Sequence, residues 1–165
     1  GNRDFLAGPA FLAHCGITGL ADPTVLAFGG HRLVLSHGDA LCLDDVDYQR
    51  FRVQARSVQW QEHFLAQPLA QRRAQARGIR QQSEARKQSG AIYADVDGPA
   101  AIAWLRAAHA TTLVHGHTHR PAEHPLAPDV RRVVLSDWDA AAQPPRADVL
   151  RLTPQGLERI AIVPT

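Results

Sequence analysis

Apolar residues fall along this chain in two rhythms. Before residue 40 and again after residue 110, short aliphatic runs bounded by Gly, Pro and Asp predict strands. Val25-Leu26-Ala27-Phe28 and Arg32-Leu33-Val34-Leu35-Ser36 are joined through Gly29-Gly30. Thr111-Thr112-Leu113-Val114, Arg132 to Ser136, Asp148 to Leu152 and Leu157 to Val163 follow, the last two forming a hairpin through Thr153-Pro154-Gln155-Gly156. Between these regions, from Leu43 to Ser89, the spacing lengthens to that of helices. Tyr48, Phe51, Ala55 and Val58 make one stripe, Trp60 and Phe64 a second, and Pro68 breaks the run. The Gln/Arg/Ala-rich segment to Lys87 is strongly helix-forming, with Gly78 expected to interrupt it. Phe5 to Cys15 reads as helix-like, disturbed at Gly8-Pro9 and stopped by Gly16, and Asp97-Gly98-Pro99 opens a helix whose buried stripe is Ala101, Ile102, Leu105 and Ala108. The pattern predicts an α/β sheet flanked by helices, with residues 44–90 as a helical insertion, or cap, beside it. The simpler reading of the insertion is a solvated helical hairpin.

Length and composition narrow this picture. At 165 residues and 45% hydrophobic content the chain suits one domain with a sizeable core. It has no apolar run long enough for a membrane helix, and no signal peptide is visible at Gly1-Asn2-Arg3-Asp4. With no Met at all, and with Gly1-Asn2 resembling a loop at the end of a strand, a processed or fragmentary chain with an upstream segment is expected. Cys15 and Cys42 lie in apolar settings without a CxxC spacing, which predicts two buried free thiols in a reducing cytosol. Net charge is only +2, but residues 50–90 hold nine Lys/Arg against two Glu. So basic a segment expects an anionic partner: phosphate, nucleic acid or an acidic membrane surface.

The chemistry gathers at strand ends. The run Thr112-Leu113-Val114 closes on His115-Gly116-His117-Thr118-His119-Arg120-Pro121, three imidazoles at alternate positions, and the run ending at Ser36 closes on His37-Gly38-Asp39. In each, an apolar strand stops, a Gly allows a sharp turn, and a metal-capable side chain sits at the tip. Asn2, His37, His117 and His119 thus form a candidate ligand set on separate loops, suited to manganese, iron or zinc. Asp4, Asp39 and Asp137 lie near these motifs and can orient a histidine or a loop amide, and His115 fits a supporting role better than direct ligation.

Taken in order, Gly1-Asn2-Arg3-Asp4, His37-Gly38-Asp39 and Gly116-His117-Thr118-His119 resemble the last three motifs of the calcineurin-like metallophosphoesterases. Arg3 departs from the broad superfamily, which usually carries His there. With Asp44-Asp45, Tyr48-Gln49-Arg50-Phe51-Arg52, Ser83, Lys87 and the closing Arg120-Pro121, the chain looks similar to the UDP-2,3-diacylglucosamine diphosphatases of bacterial lipid A synthesis. The resemblance implies a layered metallophosphoesterase sheet sandwich, two manganese ions, and hydrolysis of an acylated UDP-sugar at its α-phosphorus to UMP and the acylated sugar 1-phosphate. It further implies metal ligation by Asn2, His37, His117 and His119, catalytic parts for Arg3 and His117, and substrate contacts from Asn2, Arg3, Asp45, Tyr48, Arg80, Ser83 and Lys87. Asp39 and His115 would stand behind the ligands. Such enzymes work at the cytoplasmic face of the inner membrane.

The Arg3 departure has a physical rationale. The leaving group is a phosphate monoester with a second pKa of about 6, so it needs little protonation, and an arginine can instead neutralise the diphosphate through paired N–H donors. The simpler alternative for Arg3 is a surface ion pair with Asp4. Family members begin with an Asp-x-His strand and a Gly-Asp-x-x-Asp loop, and neither occurs here. The expectation is therefore that the first strands are missing, and that these 165 residues alone are inactive and poorly stable. A generic metallophosphoesterase shares the histidine motifs but leaves the basic, apolar-studded insertion unexplained. A noncatalytic anionic-lipid or nucleic-acid binder would account for the charge, but RNA-reading motifs are absent and aromatic content is low, so no nucleic-acid partner is expected.

Overall fold

The computed structural model describes residues 4–88 and 94–162, with residues 82–84 and 86–88 described through their backbone alone. The chain divides into two compact units, one built from Gly1–Cys42 with Asp95–Thr165 and the other from Leu43–Ala94. The first unit is mixed α/β, as the pattern predicts.

Its centre is a five-stranded sheet in the order β1 (Thr24–Phe28), β2 (His31–Ser36), β3 (Thr112–His115), β5 (Val130–Val134), β4 (Glu123–Ala127). The β1–β2 hairpin turns at Gly29-Gly30, both at positive φ, which glycine adopts without a Cβ penalty. β2, β3 and β5 run parallel, with Val34 opposite Leu113 and Leu113 opposite Arg132. Strand alternation places Val34, Leu113 and Arg132 on one face and Leu33, Leu35, Val114 and Val133 on the other. Helix α5 (Gly98–Ala107) packs against β2, β3 and β4, with Ala101 and Leu105 fully buried. Asp97 starts it by accepting from the Ala100 N–H at 2.7 Å.

The opposite face carries the hairpin β6 (Asp148–Thr153) and β7 (Gly156–Ala161). His31 Nε2 lies 3.0 Å from the Pro154 carbonyl, and Arg159 donates to the Val134 carbonyl at 2.6 Å, so the hairpin is tied near its turn and near its open end. Between hairpin and sheet lies an apolar cavity of about 420 Å³, lined by Leu26, Leu33, Leu35 and Val114 on one side and Leu150, Leu152 and Leu157 on the other.

The second unit is helical: α2 (Val46–Ala55), α3 (Val58–Ala66) and α4 (Leu69–Gln88). Asp45 caps α2 by accepting from Tyr48 N–H, and Ser57 caps α3 by accepting from Trp60 N–H, each at 3.3 Å. Trp60 and Phe64, one turn apart, stack with ring centroids 5.0 Å apart. Among the described residues no helix is long and apolar enough to cross a membrane.

Several local expectations are corrected. The helix expected from Phe5 is confined to α1, Pro9–His14, because Pro suits the first helical turn and not the interior. Gly78 does not interrupt α4, since one glycine costs about 1 kcal/mol against alanine and the flanking Arg, Gln and Ala residues all favour helix. The stripe from Tyr48 to Val58 is broken at Arg56-Ser57, where the Ser57 hydroxyl caps a new helix. Strand β4 was not foreseen because Pro125 reads as a strand breaker, yet β4 is an edge strand and tolerates it. β5 begins at Val130 instead of Arg132, set by the tight turn between Ala127 and Val130. Cys15 is exposed, and only Cys42 is buried; both are free thiols. Val163 lies outside the described residues.

Leu105 has no exposed surface, so truncating it leaves a void beneath α5. Leu105→Ala is expected to destabilise the sheet unit by about 2–5 kcal/mol in urea titration, whereas Val53→Ala, at a 70% exposed position, should change stability by less than about 0.5 kcal/mol.

Candidate metal centre at the ends of the parallel strands

Because β2, β3 and β5 are parallel, the segments that follow them leave the sheet at one edge, the usual place for a ligand site in an α/β sheet. Those segments are His37-Gly38-Asp39, Gly116-His117-Thr118-His119 and Ser136-Asp137. Backbone bonds bind them together. Gly116 N–H donates to the His37 carbonyl at 3.1 Å, and Leu135 N–H to the His115 carbonyl at 2.7 Å.

His115 is the wedge at the centre. It is fully buried, and burial pushes its pKa down, so the ring is neutral. Its Nδ1 lies 2.9 Å from the Gly116 carbonyl, which can only accept, so the proton sits on Nδ1. Gly38, at φ +99°, passes so close that a Cβ there would come within 2.8 Å of His115 Nδ1. Glycine is required twice over at this position, for its backbone angle and for the room it leaves.

The three histidines proposed as ligands are individually oriented. His37 Nδ1 is 3.1 Å from Oδ1 of Asp39, whose side chain is fully buried. The His117 ring meets the His37 ring edge-on, with centroids 4.8 Å apart. His119 Nδ1 is 3.4 Å from Oδ2 of Asp137, and this carboxylate also accepts from Arg146 at 2.9 Å. Arg146 chiefly, and His119 after it, holds the Asp137 carboxyl below its ordinary range. His117 and His119 adopt φ of 65° and 53°, the left-handed region that non-glycine residues occupy at a cost of about 1–3 kcal/mol each and that clusters at functional sites.

The structure thus brings His37, Asp39, His115 and His117 together and places His119 on Asp137. Asn2 and Arg3 lie outside the described residues, as do the side chains of Ser83 and Lys87. Asp45 and Tyr48 belong to the start of α2 in the helical unit, and Arg80 is exposed on α4. Two residues that supplied no motif prove to hold the site. Asp22 accepts from the Ser36 hydroxyl at 2.6 Å and faces the His37 N–H at 3.3 Å, fixing the turn into His37. Asp95 pairs with Arg132 and reaches Arg120 beside His119. The dipeptide Asp22-Pro23, a common turn initiator, was the available sign of the first. Nothing local marked the second.

The donors suit a divalent transition metal. Nδ1 of His37 and of His119 each lies near a carboxylate, at 3.1 and 3.4 Å, without the alignment of a hydrogen bond, and the Nε2 of each ring is the nitrogen that would be left for a metal. Among the described residues, no three His, Cys, Asp or Glu side chains are grouped closely enough to hold an ion by themselves. The residues present fit part of such a site.

A mixed α/β sheet with histidine loops at the ends of its parallel strands is consistent with the metallophosphoesterase layout that the sequence motifs resemble. No family model matches the chain. It is 51% identical over 141 residues to a UDP-2,3-diacylglucosamine hydrolase of Chromobacterium violaceum, covering 84% of the chain and 59% of that relative. It is also 43% identical over 168 residues to the enzyme of the same name from Bordetella pertussis, covering 99% and 65%, and 47% identical over 142 residues to that of Aromatoleum aromaticum, covering 84% and 58%. The chain is thus similar in sequence to proteins named UDP-2,3-diacylglucosamine hydrolase, and it spans about three fifths of the length of these curated relatives.

Gly38→Ala combines left-handed strain with a collision at His115, and is expected to lower stability by at least about 1–3 kcal/mol in urea unfolding. Gly78→Ala, within α4 where a Cβ meets open space, should stabilise the helical unit by up to about 1 kcal/mol in the same measurement.

Proposed function

We propose that these residues form the larger part of a metal-dependent hydrolase that cleaves the diphosphate of UDP-2,3-diacylglucosamine at the α-phosphorus, giving UMP and 2,3-diacylglucosamine 1-phosphate in lipid A biosynthesis. The observation that carries this reading is the similarity to hydrolases named for that substrate across 84–99% of the chain. The carboxylate-backed histidines give it a chemical basis.

His37, His117 and His119 would hold metal, together with Asn2, and manganese is the ion proposed. A divalent ion there supplies a nucleophile at neutral pH and offsets charge on the phosphoryl oxygens. The chain's own residues do the rest. Asp39 and Asp137 place a carboxylate beside imidazoles 37 and 119 and would orient them once hydrogen-bonded to Nδ1. Arg3 would pair with the diphosphate as negative charge develops, and the phosphate monoester departs without a general acid. Within the helical unit, Val53, Val58, Leu65 and Leu69 are exposed apolar positions, and α2 and α4 also carry exposed arginines. That combination suits an acylated, anionic substrate and attachment at the cytoplasmic face of the inner membrane. Asp45, Tyr48, Arg80, Ser83 and Lys87 are the proposed substrate contacts of that unit.

The test uses the intact natural protein, manganese and the acylated UDP-sugar in ¹⁸O-labelled water. UMP should form and carry the label; label in the sugar phosphate would place attack at the other phosphorus and reject the proposal. Chelation should abolish turnover, and His117→Ala should lower kcat/KM by about 100-fold or more. Faster hydrolysis of a simple phosphodiester than of the UDP-sugar would favour a generic phosphoesterase.

A further inference from the structure

Asp95 stands where the chain re-enters the sheet unit from the helical one. Both its oxygens are engaged by the Arg132 guanidinium, at 2.6 and 2.8 Å. Arg132 lies mid-sheet, paired in register with Leu113 and His124, and its side chain is only 8% exposed. Such a bidentate pair on a buried, rigid strand fixes the carboxylate in place. Arg132 accordingly holds the Asp95 carboxyl far below the usual range.

The same carboxylate has a second side-chain neighbour. Arg120 Nη1 lies 3.5 Å from Asp95 Oδ2, and Arg120 directly follows His119. An exposed ion pair at this distance is normally worth little, largely because ordering two long side chains costs entropy. Here one partner is already immobilised by Arg132, so only Arg120 has to be ordered. The loop it would hold needs restraint, since His117 and His119 both sit in left-handed backbone. Among the described residues, its other ties include Gly116 N–H to the His37 carbonyl, His119 to Asp137, and the Ala122 carbonyl to Val134 N–H. Arg120 to Asp95 is the tie between His119 and Ala122.

The return segment is itself anchored. Asp97 N–H donates to the Leu41 carbonyl at 2.8 Å, and Leu41 lies two residues after Asp39. Both histidine loops are thereby linked to the points where the helical unit leaves and rejoins the sheet unit.

We propose that Asp95 is a positioning residue that sets the His117–His119 loop through Arg120, using the buried Arg132 as its fixed support. Its catalytic consequence rests on the hydrolase reading above; its structural consequence does not. Asp95→Asn keeps one acceptor for Arg132 while losing the charge that holds Arg120. Arg120→Gln removes the tie from an exposed position, where the fold is not at stake.

The intact protein provides two readouts. In the metal-free state, the ring Cε1–H resonances of His117 and His119 should shift in both variants and return toward wild type in Arg120→Lys. In turnover, each variant should lose about tenfold or more in kcat, with KM for the UDP-sugar changing less than about twofold, and the double variant should be no slower than Asp95→Asn alone. Arg131→Gln, which breaks the exposed pair with Glu123, should leave kcat unchanged. Multiplying losses in the double variant would mean that Arg120 acts independently, and unchanged ring resonances would mean that the tie positions nothing; either result overturns the proposal. Should Asp95→Asn fail to fold, the resonances of Arg120→Gln decide alone. Should the wild type release no UMP, the hydrolase reading fails while the resonances still judge Asp95.

Discussion

The candidate centre depends on a close approach between two loops: Gly38 passing over the buried ring of His115. Two parallel strands bring their ends to one sheet edge, but parallel pairing by itself leaves the loops beyond the last ladder bond free to diverge. Here they are held by the Gly116 N–H to His37 carbonyl bond, and the space between them is filled by an imidazole against which any side chain at position 38 would collide. His37 and His117 are neighbours because of that contact. A neutral, fully buried His115 suits the wedge role. It is large enough to fill the gap, and it settles one polar atom on the Gly116 carbonyl. Its Nε2 finds no hydrogen-bond partner among the described residues, a desolvation cost the packing has to offset.

Around this contact the carboxylates divide the work by reach. Asp39 and Asp137 address histidine rings directly, whereas Asp22 addresses the backbone that delivers His37, and Asp95 addresses the chain beyond His119. Orienting a ligand and orienting the backbone under it are separate requirements. A ring that is fixed on a loose loop is no better placed than a free one, and the left-handed angles at His117 and His119 show how far this loop departs from its intrinsic preferences.

That division also explains what could be read from the sequence. The strand runs ending at Ser36 and His115 and the glycine-turned histidine tips were legible, because a strand's apolar run and its turn residue are contiguous. Asp39 was legible for the same reason, being two residues from His37. Asp22 and Asp95 were not, since their partners Ser36 and Arg132 lie 14 and 37 residues away and only the sheet brings them near. Tertiary context likewise overrode local rules in β4, where an edge position tolerates Pro125, and in α4, where helix-forming neighbours carry Gly78. Arg132 stood at the start of the expected strand, and only the observed start of β5 at Val130 places its charge mid-strand, where an acidic partner is required.

The same geometry accounts for how a helical unit can interrupt the chain between the two histidine loops. The segment leaves after Cys42 and returns at Asp95, and the Leu41–Asp97 bond joins the two points directly. Once the ends are fixed, the entropy of closing the intervening chain grows only with the logarithm of its length, about 0.6 kcal/mol for each doubling. The sheet therefore gains little from a short connection and loses little from a long one. What it cannot tolerate is movement of the joined ends, because Asp39 and Asp95 stand there with a histidine loop attached to each. Insertion length and composition are consequently free to follow the ligand, while the residues at its base are bound by the geometry of the histidines.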